Sequence, residues 1–251
     1  MLSGHQIYNL EIGGYSLIQL PAFDLSFPSY PGVDKVEVVS SGERSVTVKV
    51  AFKEVASTED AASIALVIAT QVADRLAFAY KVPVGDPVRR EAIFLRQDGS
   101  GTVPAILATY CTLVAVGHTV KSITTQDVAQ LAPAIVCEEP AKDAYYSQIR
   151  LIIRQDDPVA RFMHLYKILL SLQGGSNHTQ KQVDAFITSV EPTVQTVFNA
   201  HQGRGETIYT RLRNEVGHEI AGTTPATTRQ GMERHVDRLL DHVKEAISRI
   251  P

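Results

Sequence analysis

The chain has 251 residues, of which 44% are hydrophobic and 20% charged, and a formal net charge of −3. That composition supports one large folded domain or two ordinary ones and excludes a fibrous or disordered chain. The slightly negative charge also excludes a protein that coats nucleic acid by bulk electrostatics, so any such contact must come from a local site. Residues 1–137 carry 10 Lys+Arg against 13 Asp+Glu, and residues 138–251 carry 14 against 14, with 10 of those cations being arginine. Arginine presents two parallel donors and suits forked phosphate contacts better than lysine does.

Bilayer crossing needs about 18 to 20 consecutive apolar residues. The best stretch, residues 61–82, is interrupted by Gln71, Asp74 and Arg75. The opening Met1-Leu2-Ser3-Gly4-His5 has neither the basic leader nor the apolar core of a signal peptide. A cytoplasmic protein with no membrane contact is expected. Cys111 and Cys137 are distant from each other and sit in apolar runs, so both are expected as small buried hydrophobes rather than as a disulfide or zinc pair.

In chain order, residues 8–20 and 36–52 show β-branched and apolar residues in partial alternation, with turn signals at Gly13-Gly14 and Ser40-Ser41-Gly42. Val46, Val48 and Val50 alternate with Thr47 and Lys49, the mark of a half-buried strand. Ser57-Thr58-Glu59-Asp60 then opens a helix whose apolar stripe is Ala62, Leu66, Ala69, Val72, Ala73, Leu76 and Tyr80. Residues 92–95 and 103–116 return to strand composition. Gly99-Ser100-Gly101 reads as a hairpin turn, and residues 124–131 as a short helix capped by Thr124 or Thr125. Residues 1–137 thus form a mixed α+β domain with no catalytic motif, suited to recognition or regulation.

Residues 133–140 mark the expected boundary, and from there the period is helical throughout. One stripe runs through Tyr145, Ile149, Ile152 and Ile153. Asp156 or Asp157 before Pro158 starts the next helix, with Phe162, Leu165, Tyr166, Leu169 and Leu172 on its buried face and His164 packed among them. Gly174-Gly175-Ser176-Asn177 ends it. Val183, Phe186, Ile187 and Val190 follow, with a kink at Pro192 before Val194, Val197 and Phe198. Residues 206–216 make a fourth helix. A long fifth, opened by Thr227 or Thr228, carries Met232, Val236, Leu239, Leu240, Val243, Ile247 and Ile250. Residues 138–251 are therefore expected as an all-α bundle of five amphipathic helices.

The end of the fourth helix reads Leu212-Arg213-Asn214-Glu215-Val216-Gly217-His218. An arginine, a polar residue directly after it and a histidine five positions on, late in a helical bundle, resemble the signature of the HEPN superfamily. The resemblance covers roughly residues 141–251. The layout of the whole chain, a mixed part followed by a helical part, also resembles the MauJ-like branch found in methylamine-utilisation operons. The HEPN resemblance implies a metal-independent endoribonuclease that needs no cofactor and works as a homodimer, with two motifs facing one cleft. Attack of a 2′-hydroxyl on the neighbouring phosphate leaves 2′,3′-cyclic phosphate and 5′-hydroxyl ends. It further implies toxin, antiphage or RNA-processing roles, and an antitoxin or regulatory protein as a partner.

These residue types suit that chemistry. Histidine moves protons near neutral pH, and arginine stays charged while offsetting charge on phosphate oxygens. His218 is the expected general acid/base, Arg213 the phosphate clamp, and Asn214 the residue that orients the pair or touches the backbone of the RNA. Arg204 and Arg211 would extend the RNA-binding patch. On an unbroken helix, positions five apart point roughly 140° from each other, so Gly217 is needed to turn the chain before His218. Two plainer readings stay open. Arg213 could tie helices together through Glu206, Glu233 or Asp237, with His218 set against the helix dipole. Alternatively, the bundle could be a non-catalytic RNA- or protein-binding accessory protein. His235 and His242 share a helix face but lack companions for a metal-ligand set.

Overall fold

The computed structural model describes residues 1–14, 16–96, 102–103, 119–173, 179–200, 202–217 and 222–251. They divide into two compact units, Met1–Glu139 and Pro140–Pro251. The first combines an antiparallel sheet with helices, and the second is mostly helical.

In the first unit, strands β1 (Leu2–Glu11), β2 (Ser16–Gln19), β3 (Phe23–Leu25), β4 (Val33–Ser40) and β5 (Ser45–Val55) precede helix α1 (Thr58–Tyr80). Strands β6 (Val88–Arg96), β7 (Thr102–Val103) and β8 (Thr119–Ser122) and helix α2 (Thr125–Val136) follow. The main sheet runs β3-β4-β5-β1-β6-β7 with every neighbouring pair antiparallel, while β2 pairs with β8 in parallel. The two-residue alternation decides which face is covered. Tyr8, Leu10, Val36, Val38, Val46, Val48, Val50, Phe52 and Phe94 all belong to one buried core with Ala61, Ala65, Ile68, Ala69, Val72, Ala73 and Leu76 of α1.

The stripe on α1 differs from the expected one near its start. Ala61 and Ala65 are buried, whereas Leu66 is 45% exposed. Small residues here let the helix lie close to the sheet, and that outweighs side-chain bulk in choosing the face. Ser57 caps α1 by accepting from the Asp60 amide at 3.0 Å. By length and composition α1 could cross a bilayer, but its buried residues form the core of this unit, which accounts for its apolar character.

Helix α2 continues past its expected end through Pro133 to Val136, with Leu131 and Ile135 buried on either side of the proline. Cys137 is exposed rather than buried. It follows the last turn, where its carbonyl accepts from Arg75 Nη2 at 3.0 Å, while Arg75 Nη1 reaches Glu139 at 2.8 Å. Cys111, the Gly99-Ser100-Gly101 turn and most of the expected strand at 103–116 lie outside the described residues.

The second unit contains α3 (Pro140–Ile153), α4 (Pro158–Gln173), α5 (Gln180–Val190), β9 (Thr196–Asn199), β10 (Arg204–Thr207), α6 (Ile208–Gly217) and α7 (Pro225–Ser248). Asp157 caps α4 by accepting from the Ala160 amide. The buried stripe of α3 passes through Tyr146 rather than Tyr145, together with Ile149, Arg150 and Ile153. His164 is exposed, with Nδ1 on Gln155 Oε1 at 3.1 Å. Thr224 forms a capping box with Thr227, so α7 begins at Pro225, earlier than expected.

The main departure from the all-α expectation is an antiparallel hairpin. Pro192 ends a helix instead of kinking one, residues 196–199 are extended, and they pair with 204–207. Glu206 and Thr207 thus belong to a strand, and α6 starts at Ile208. The β-branched pair Thr196-Val197, the ring of Phe198 and a left-handed Gly203 (φ 62°) favour the hairpin locally.

Close backbone approach is sharpest at Gly4, where a Cβ would stand 2.1 Å from the carbonyl oxygen of Ile93 on β6. Gly4→Ala is expected to lower unit stability by about 1–3 kcal/mol, the usual cost of forcing extra volume into a packed site. Gly13→Ala, which meets nothing nearer than 3.5 Å, should have far less effect. Urea midpoints of the two variants provide the check, and equal midpoints would overturn it.

Candidate functional site

The link between β10 and α6 depends on Asp184, a charged residue on the otherwise apolar face of α5. Its Oδ1 accepts from the Thr207 amide (3.0 Å), Thr207 Oγ1 (2.8 Å) and Thr210 Oγ1 (2.6 Å), and its Oδ2 accepts from Arg204 Nη1 (2.5 Å). A carboxylate from a neighbouring helix therefore meets the amide of the residue that immediately precedes α6, where amides lack intrahelical partners. Thr210 Oγ1 also meets the Tyr166 hydroxyl at 2.8 Å. Burial pushes the Tyr166 phenol up to about 12, opposed in part by its bond to Thr210 and the positive charges of Arg213 and Arg204.

A second polar layer lies beside the first. Glu206 on β10 is 1% exposed, and its Oε2 accepts from Asn199 Nδ2 at 2.9 Å and Asn214 Nδ2 at 3.2 Å. Asn214 Oδ1 accepts from Gln180 Nε2 at 2.8 Å and from Arg213 Nη1 at 3.1 Å. Asn214 is buried, and both ends of its amide are occupied.

The three arginines of this region have different surroundings. Arg204 binds Asp184, the Gly205 carbonyl and Gln202. Arg211 binds Glu215 Oε1 at 3.1 Å and stands 3.8 Å from Glu206 Oε1, while Glu215 Oε2 accepts from Thr228 on α7. Both side chains that were expected to extend a phosphate patch are thus ion-paired within the fold. Arg213 is half-buried and, among the described residues, has no carboxylate partner. Of the partners considered from the sequence, Glu206 faces Arg211 and Asp237 faces Arg161 at 3.4 Å. Helix α6 ends at Gly217. His218 itself lies outside the described residues.

A cleft of about 1070 Å³ opens on another side of α6, lined by Val159, Glu215, Val216, Thr224, Thr228 and Arg229. Arg213 is not among its lining residues. Glu215 sits two positions further along the helix, which turns it roughly 200° away. Arg229 is itself held by Asp157 at 2.7 Å.

A third cluster joins α5, α6 and α7. Glu191 Oε2 accepts from Tyr209 Oη at 3.1 Å and lies 2.8 Å from His242 Nε2, while Arg238 Nε stands 3.6 Å from Glu191 Oε1. The rings of His242 and His235 meet Tyr209 edge-on, with centroids 5.1 and 5.7 Å away. Burial holds both imidazoles below the usual histidine value against the pull of Glu191, and burial raises the Tyr209 phenol. Among the described residues no group of three or more His, Cys, Asp or Glu could hold a metal ion.

The chain matches no protein-family model, no curated protein and no solved structure. Asp184 and Gln180 are the members that the sequence reading did not single out, and Glu206, considered as a partner of Arg213, binds Asn199 and Asn214 instead. The available signal was Asp184 itself, a charge directly beside Val183 and two before Phe186 on a buried face.

Two outcomes are expected. Asp184→Asn turns one acceptor oxygen into a donor facing other donors, and should destabilise the helical unit by about 3 kcal/mol or more. An unchanged thermal midpoint would contradict this. Because burial lowers the proton affinity of His235 and His242 in the fold, the unfolded chain takes up protons more readily. Their contribution to stability is therefore present above the unfolded value near 6.5 and lost as pH falls below it. Replacing both by Gln should flatten the fall in urea midpoint between about pH 7.5 and 5.5. A slope as steep as that of the wild type would exclude them as its source.

Proposed function

We propose that the helical unit is a cytoplasmic, metal-independent endoribonuclease of HEPN type, with Arg213 and His218 as the groups that meet the scissile phosphate. The observation that carries this reading is the sorting of the arginines. Arg204 and Arg211 are neutralised by carboxylates, and Arg213 is held by an amide that leaves its charge uncompensated among the described residues. A cation kept in place but not neutralised suits an anionic ligand.

In this reading the 2′-hydroxyl attacks the adjacent phosphorus, and its proton passes to a base. The P–O5′ bond breaks, and the leaving oxygen takes a proton to become a 5′-hydroxyl. His218 supplies the proton transfers, and Arg213 offsets charge gathering on the non-bridging oxygens. Asn214 acts on Arg213 rather than on RNA, since its own amide is engaged by Gln180 and Glu206. A homodimer would set two such pairs against one strand, and the first unit would select the target or regulate the pair. Toxin, antiphage or RNA-processing roles, with an antitoxin or regulatory partner, fit this activity.

The test is incubation of the purified protein with labelled single-stranded RNA in EDTA. Wild type should release fragments with 2′,3′-cyclic phosphate ends. Arg213→Ala should lose about 10²–10³ in rate, and His218→Ala about 10²–10⁴. Binding without cleavage would replace the enzyme with a non-catalytic accessory protein, and neither binding nor cleavage would end the RNA reading.

A further inference from the structure

The hairpin of the helical unit presents Phe198 at 70% exposure. A phenylalanine normally adds a large apolar area to a core, and here that area faces solvent from a two-stranded ribbon. Its cross-strand partner is Gly205. A Cβ built on Gly205 meets no atom within 4 Å, so the ring does not lie folded across the glycine. The exposed neighbours on the ribbon are Gln195, Thr196, Ala200, Gln202 and Gly203. Among the described residues the aromatic surface is therefore one ring wide, with polar or small residues around it.

That size selects the occupant. A stable protein interface covers about 800 Å² on each partner and has several apolar anchors, which a lone ring among Gln, Thr and Gly does not provide. One aromatic face does match one unpaired base. The local charge does not oppose a polyanion. Residues 192–205 contain no Asp or Glu; of the acids next to them, Asp184 and Glu206 are buried and face Arg204 and Arg211, and Glu191 faces His242 and Arg238. The ribbon also connects to the Arg213 anchor, because Asn199 and Asn214 share the same Glu206 oxygen.

We infer that Phe198 is a stacking platform for an unpaired base of single-stranded RNA bound along the hairpin. The inference rests on the RNA reading of Arg213 and specifies which form of RNA that site takes: single-stranded, with a base free to leave its neighbours.

The chain has no tryptophan, so Phe198→Trp introduces a unique fluorophore at the ring position. The whole protein is used in a His218→Ala background, which blocks cleavage, and is titrated with single-stranded oligo(A) or with an RNA duplex of equal length. The single strand should quench the emission of the introduced indole to saturation, and the duplex should not. Phe198→Ala and Phe198→Leu should weaken single-strand affinity by about tenfold, while Phe198→Tyr keeps it. Denaturation midpoints should stay unchanged, since the ring is outside the core. If Arg213→Ala weakens RNA binding while Phe198→Ala does not and the indole stays unquenched, the platform is wrong and the RNA reading survives. If the chain with Phe198 in place binds no RNA, both fail. A change in sedimenting mass in Phe198→Ala without a change in RNA affinity would make the ring a protein contact and overturn the inference.

Discussion

A carboxylate removed from water must be given donors, or it costs several kcal/mol to keep there. Asp184 meets that demand by collecting a backbone amide, two hydroxyls and a guanidinium, all from the segment that runs from β10 into α6. The direction of the constraint matters. Once α5 is docked by Val183, Phe186 and Ile187, its Asp184 accepts only donors at fixed places, and Thr207 and Thr210 must come to it. That requirement sets where the strand stops and the helix starts. It therefore also sets the phase at which every later residue of α6 leaves the helix axis, Arg213 included.

Glu206 repeats the arrangement one layer away, with Asn199 and Asn214 as donors and Arg211 at longer range. Coupled polar networks of this kind favour one arrangement strongly, because moving any member strands another without a partner. The result is a division of labour among three arginines close in sequence. Two close the structure by neutralising buried acids. The third hangs from an amide oxygen whose own orientation is fixed by Gln180. A guanidinium that is held in place and, among the described residues, has no carboxylate partner differs from both a core ion pair and a freely solvated side chain.

Period-based reading worked where one face of an element is buried and the other wet. Val46, Val48 and Val50 lie in the core as the alternation requires, and Phe162, Leu165, Tyr166 and Leu169 of α4 are buried at helical spacing. It failed where local chemistry competes with periodicity. Val194, Val197 and Phe198 keep a helical spacing by accident, while Pro192 blocks a continuing helix and Gly203 supplies the left-handed turn that a hairpin uses. Helical spacing with Ala62 and Ala69 places Leu66 on the buried stripe of α1, yet the sheet accepts the side carrying Ala61 and Ala65. Arg213 and Asn214 could be picked out as a pair from sequence. That Asn214 would be buried and fully engaged could not, because its partners Gln180 and Glu206 come from other elements and carry no mark of that pairing in the chain.

Net charge and local charge also separate here. At physiological ionic strength an exposed charge is felt over roughly 8 Å, so the sum over the whole chain says little about the surface near Arg213. What counts is that, among the described residues, Asp184 and Glu206 are buried and face Arg204 and Arg211, while Arg213 has no carboxylate partner. One arginine is still a weak handle on a polymer, since each exposed ionic contact contributes on the order of 1 kcal/mol or less. Useful affinity then has to come from contacts that salt does not screen. In the RNA reading proposed above, an uncharged aromatic face on the adjoining ribbon, such as the exposed Phe198, would meet that requirement.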